Sequence, residues 1–138
     1  MDTQEHAAAA ATIFVGIDVS KAALDVALRP GGESWRCAND EAGIAAELVG
    51  RLRSLVPRLI VLEATGGLER LAVAALALAG LPVAVVNPRQ VRDFAKATGQ
   101  LAKTDALDAA VLAHFAEAIR PEPRPLPQGF CKVRVGDR

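Results

Sequence analysis

The hexapeptide RLIVLE at residues 58–63 sets four consecutive apolar residues between an arginine and a glutamate. A run that short and that apolar fits a central strand covered on both faces, so the fold has to supply a layer on each side of it. Around it the chain alternates. Residues 12–19 (TIFVGIDV) form a β-branched run that reads as a strand, and 23–30 (ALDVALRP) follow after a short break. Gly31-Gly32 turns the chain into ESWRCAN, which predicts an antiparallel three-strand meander. Asn39 or Asp40 can cap the next segment, where Ile44, Leu48, Leu52 and Leu55 recur at helical spacing until Pro57. After RLIVLE, Gly66-Gly67 opens a helix over 68–79 that is apolar nearly all round and therefore expected to be internal, with the glycines allowing close approach to the sheet. Gly80 ends it and 82–86 (PVAVV) is a second buried strand. Asn87-Pro88 starts a short helix to about Ala97, and Thr104 caps a last one from Asp105 to about Ile119. Three paired strands followed by helix–strand alternation predict an α/β layered domain, with a ribonuclease-H-like mixed sheet set against a Rossmann-like one.

Composition narrows the chemistry. The 138 residues suit one domain with a real core. Sixteen basic and sixteen acidic residues leave no net charge, so nucleic-acid binding would need a local patch. The absence of tyrosine excludes a Tyr nucleophile. Cys37, Cys131, His6 and His114 lack metal-ligand spacing, which argues against a zinc site or disulfide scaffold and fits a reducing, cytoplasmic setting. The start, MDTQEHAAAAAT, is acidic and no signal peptide. The longest uncharged stretch, 71–86, is 16 residues and is broken by Gly80 and Pro82. A span needs about 20, so a soluble protein without membrane contact is expected. Residues 1–11 read as a disordered tail, 12–120 as the domain, and 121–138 as a Pro-rich linker and divergent or truncated tail: the last stretch holds four of the eight prolines and no alanine.

The informative residues are acids where apolar residues belong. Asp18 interrupts the first strand, although a turn acid at a strand end is common. Glu63 ends the buried run LIVL, where a carboxylate is costly unless a cation such as Arg70, or hydrogen-bond donors, meets it. On the last predicted helix the apolar arc holds Leu107, Val111, Leu112, Phe115 and Ile119. Asp108 falls inside that arc and Asp105 at its edge, about 5–6 Å apart at Cβ if both are helical. Capping accounts for Asp105 and, on this reading, not for Asp108. Four carboxylates with no soft ligands suit Mg²⁺ or Mn²⁺, and a pair of such ions supports phosphoryl transfer.

The motifs GIDVSK (16–21), LEATGG (62–67) and NPRQVRDFAKATGQLAKTDALDAAVLAHFA (87–116) closely resemble the DEDD transposases, the IS110-type insertion-sequence recombinases related to the Piv DNA invertases. The resemblance covers residues 12–128, and the three motifs in this order are specific together. It implies a RuvC-like, ribonuclease-H-fold catalytic domain whose tetrad maps onto Asp18, Glu63, Asp105 and Asp108. It also implies divalent metal, DNA as substrate, homo-oligomers and, in some members, a structured noncoding guide RNA. Full-length members are similar to a two-part protein with a second domain carrying a Ser for strand cleavage. Here GFCKVRVGDR follows RPLPQ, as in a truncated or frameshifted copy, and Ser20, Ser34 and Ser54 do not replace that serine. Ser20 is expected to bond backbone at a strand turn.

Arg89, Arg92, Lys96 and Lys103 against Asp93 give residues 87–104 a local net charge of +3, and Lys21 lies beside Asp18. These five cations are the candidate nucleic-acid contacts, against the plainer reading of a solvated helix face. With one Trp and four Phe, no base-stacking platform is evident, and Gly66-Gly67 lacks the Lys-Ser/Thr of a P-loop. His114 reads as a packed or solvent-facing residue, and Trp35 and Cys37 as core. The leading function is metal-dependent DNA cleavage and strand transfer. The alternatives are a non-catalytic nucleic-acid-binding or oligomerising module, and a stand-alone RuvC-type junction nuclease.

Overall fold

A computed structural model describes residues 12–99 and 108–123. Five strands form one mixed sheet: β1 (Phe14–Val19), β2 (Ala23–Arg29), β3 (Ser34–Ala38), β4 (Leu59–Glu63) and β5 (Val83–Val86). Their order is β3-β2-β1-β4-β5. The meander is antiparallel, whereas β1–β4 and β4–β5 are parallel. The expected α/β, ribonuclease-H-like arrangement of three antiparallel strands followed by crossovers is therefore present. Both β1 and β4 are buried on both faces, as their continuous apolar runs require.

Helix α1 is continuous over residues 41–55, with a π-helical middle at Ile44–Val49. Asp40 is its cap, accepting from the Gly43 N–H at 2.8 Å, while Asn39 instead donates to the Ser20 carbonyl. Helix α2 (Arg70–Leu78) lies beside it, and together they cover one sheet face through Ile44, Leu48, Leu52, Ala72 and Leu76 against Val15, Ile17, Ile60 and Leu62. The expectation that this helix is internal does not hold. Leu71 and Leu78 are 43% and 54% exposed, because α2 meets the sheet along one stripe and turns its other side to solvent. Gly66 and Gly67 do not mediate close packing either: a Cβ on either meets nothing within 4 Å. They are needed for backbone angles of φ +72° and +109° in the turn before α2.

The other face is covered by α3 (Pro88–Ala97) and α4 (Ala109–Ile119), which bury Phe14, Leu59, Val61, Ala84 and Val86. Phe94 of α3 meets His114 and Phe115 of α4 edge to face. Gly16 is where close approach matters. A Cβ there would lie 2.2 Å from the Ala113 nitrogen and 2.3 Å from the Ala109 oxygen, so α4 lies directly on the β1 backbone. Helix α4 also starts later than expected. Asp108 has extended backbone and caps the helix, its Oδ1 accepting from the Val111 N–H at 3.0 Å. It is thus not an interior helical residue facing the core, and capping does account for its position.

Cys37 is buried and Trp35 half-buried against the same core, its indole N–H donating to the Glu47 carbonyl. Ser20 bonds the Ala23 backbone as expected. Among the described residues no helix is long and apolar enough to cross a membrane. Both predicted tails, 1–11 and most of 121–138, fall outside the described residues.

Candidate active site

Strand alternation decides which side chains share a face. Phe14 and Gly16 face α4, so Asp18 does too, and on β4 the same parity runs from Leu59 and Val61 to Glu63. The parallel register pairs Ile17 with Leu62, which sets Asp18 and Glu63 side by side one step further on. Directly above is the N-terminus of α4, capped by Asp108. The three acids thus come to one end of the sheet from β1, β4 and α4. Asp105 and Lys103 lie outside the described residues. Among the described residues no three His, Cys, Asp or Glu side chains are close enough together to hold a metal as they stand.

Burial, with Asp25 and Asp108 nearby, pushes the Asp18 carboxyl above its ordinary pKa, offset in part by Arg36. Burial and the neighbouring Asp18 do the same to Glu63, opposed by Arg92. Glu63 Oε1 is buried without a hydrogen-bond partner among the described residues. An acceptor left in that condition costs about 1–3 kcal/mol. Among the described residues the cation that acts on Glu63 is Arg92, not the Arg70 suggested by the sequence.

The basic residues divide. Lys21 is exposed in the β1–β2 turn, and Arg89 and Lys96 are exposed on α3. Arg92 is half-buried and serves Glu63 as well. His114 packs on Phe94, as expected of a packed histidine.

Three features went unnoticed in the sequence. Asp25 is the β2 partner of Asp18, and Arg36 is the β3 partner of Asp25, so the three form a row across the sheet. Arg36 grips Asp25 with Nε–Oδ1 at 2.8 Å and Nη2–Oδ2 at 3.1 Å. The signal lay in the hairpins: the expected meander, once its turns are located, places Asp25 opposite Asp18. The third feature is Glu69, whose Oε1 accepts from the Thr65 N–H, the Thr65 hydroxyl and the Gly67 N–H, fixing the loop that follows Glu63. Burial alone would raise its pKa, but these bonds bring it below the ordinary value.

A mixed sheet of this order, with carboxylates at the ends of the adjacent parallel strands β1 and β4 and one at the mouth of the helix lying on them, defines a RuvC-like domain of the ribonuclease-H fold. Residues 15–133 match the DEDD transposases of the IS110 type, described as Transposase, and the chain belongs to that family. Among solved structures it is similar to Thermus thermophilus RuvC in complex with a Holliday junction substrate, at TM-score 0.53 and 18% identity over 82% of this chain and 99% of that one. A second T. thermophilus RuvC structure gives TM-score 0.48 and 17% identity over 82% and 100%. No curated protein matches.

Proposed function

We propose that this chain is the catalytic domain of a DNA transposase or site-specific recombinase that cleaves and transfers DNA phosphodiesters. The observation that carries the reading is the meeting of Asp18, Glu63 and Asp108 at one end of the sheet, with a buried Glu63 oxygen that has no hydrogen-bond partner among the described residues. Hard oxygen donors that repel one another fit Mg²⁺ or Mn²⁺, held by Asp18, Glu63, Asp108 and, from the family's tetrad, Asp105. A pair of such ions, held by these residues, would supply activation of the attacking oxygen and stabilisation of the leaving one. The protein's own part is positional. Strands β1 and β4 hold two carboxylates at fixed separation, the α4 cap holds the third, and Glu69 fixes the loop beside them. Lys21, Arg89, Arg92, Lys96 and Lys103 supply phosphate contacts that position the strand without reading its sequence. Residues 12–120 form the catalytic unit, flanked by tails at 1–11 and 121–138. Homo-oligomers, a guide RNA and action in the cytoplasm belong to the same reading.

A second reading, cleavage of branched DNA by this domain without another, draws on the likeness to a RuvC chain of which it spans 99%. One experiment addresses the shared core of both: thermal unfolding of the chain during Mg²⁺ or Mn²⁺ titration, with Asp18→Asn and Asp108→Asn alongside. Asn caps a helix about as well as Asp, so Asp108→Asn keeps α4 intact while removing the charge. Saturable stabilisation of the wild type, absent from both variants, is the expected result. Equal stabilisation of all three would overturn the metal site.

A further inference from the structure

A groove of about 420 Å³ leaves the acid cluster and runs across the meander. It is lined by Asp18 and Asp108 at one end and by Asp25, Ser34 and Arg36 towards β3. Arg36 is the one cation among the described residues that line it. Resting on the function proposed above, we infer that this groove carries the DNA strand away from the cleavage point and that Arg36 binds a phosphate of that strand.

Geometry supports this in three ways. The row Asp18, Asp25, Arg36 crosses adjacent strands, and with about 4.8 Å between strands Arg36 stands about 10 Å from Asp18 along the sheet. That places it beside a neighbouring phosphate, not the one being cut. Asp25 takes the guanidinium side-on, through Nε and one Nη. Of the five N–H donors of an arginine, three remain for another acceptor, and the planar fork suits a phosphate. The side chain is 70% exposed although it is pinned, so it is preorganised and reachable. A pair this exposed adds little stability, which leaves its held geometry in need of another use.

Asp25 faces Asp18 directly, and like charges placed opposite each other across strands oppose folding. A carboxylate kept there, beside an acid cluster, is accounted for if its task is to aim Arg36 along the groove.

The test is fluorescence anisotropy of a labelled DNA duplex and a four-way DNA junction, titrated in Mg²⁺ at several salt concentrations with wild type, Arg36→Ala, Arg36→Lys and Arg53→Ala. Arg53 is an exposed cation on α1, the helix of the opposite sheet face, and controls for net charge. The expected result is a salt slope smaller by about 1 for Arg36→Ala on at least one of the two DNAs, with binding roughly five- to tenfold weaker near 0.1 M salt. Arg36→Lys falls between it and wild type, and Arg53→Ala matches wild type. An unchanged slope in Arg36→Ala on both DNAs, or an equal fall in Arg53→Ala, overturns the inference and leaves the proposed function standing. Loss of Mn²⁺ stabilisation in Arg36→Ala also overturns it, by making Arg36 a structural partner of the acids. Failure of the wild type to bind either DNA in a salt-dependent way overturns both.

Discussion

Asp18 and Glu63 hold their protons more tightly in the folded chain than in the unfolded one. As pH rises past the ordinary carboxylate values, about 4, the unfolded chain ionises first and binds fewer protons than the native state. Stability then falls until the folded carboxyls have ionised as well. Metal-free Asp18→Asn and Glu63→Gln are therefore expected to melt a few degrees above wild type at pH 7, with the gap closing below about pH 4, as thermal scans in EDTA would record. Excess Mn²⁺ reverses the order. Glu69 has the opposite sign: its contribution is present above the ordinary glutamate value and is lost as pH falls through its lower folded value. At this scale the sequence was legible wherever an acid broke an apolar run, as at Asp18 and Glu63. It was misleading at Asp108, because TDALDA offers two capping residues, Thr104 and Asp108, and one chain has no means of choosing between them.

Among the elements, the strands were readable to within a residue or two. A continuous apolar run bounded by charge or glycine has few other fates in a chain of this length. The π-helical middle of α1 was not readable, since its apolar positions fit an α-helical stripe equally well. Nor was the exposed side of α2, where alanine and leucine alternate and burial depends on neighbours that the sequence does not name. The contact of α4 with β1 is the most consequential junction in the fold. Gly16→Ala would put a methyl group into the backbone of α4, and backbone has no rotamer with which to yield. We expect a loss of about 3 kcal/mol in urea unfolding, at the upper end of overpacking costs. The Mn²⁺-induced stabilisation should also weaken, because the helix that is displaced carries Asp108.

For the whole molecule, zero net charge means that the proposed DNA binding has to come from where the charges lie. Arg89 and Lys96 stand exposed on α3, on the sheet face that also bears the acids. Replacing both with alanine is expected to lower the salt slope of DNA binding by about 2 while leaving the melting temperature within a degree or so of wild type. Binding isotherms at four or five salt concentrations would check this, and an unchanged slope would return α3 to an ordinary solvated face. The resemblance to DEDD transposases assigned fold and family together, whereas periodicity alone left a Rossmann-like sheet in play. The difference lies in the antiparallel meander, whose pairing depends on its turns as well as on apolar pattern.

The seat of α4 on Gly16 has a consequence for how this protein tolerates change. The spacing between the strand acid and the helix acid is set where main chain meets main chain, with no side chain acting as a shim between them. Volume-conserving exchanges in the surrounding core of Val, Leu, Ile and Phe are therefore expected to alter that spacing less than any side chain added at Gly16. What the joint demands of the sequence is then narrow: a residue without a side chain at position 16 and small residues on the helix turn that rests on it.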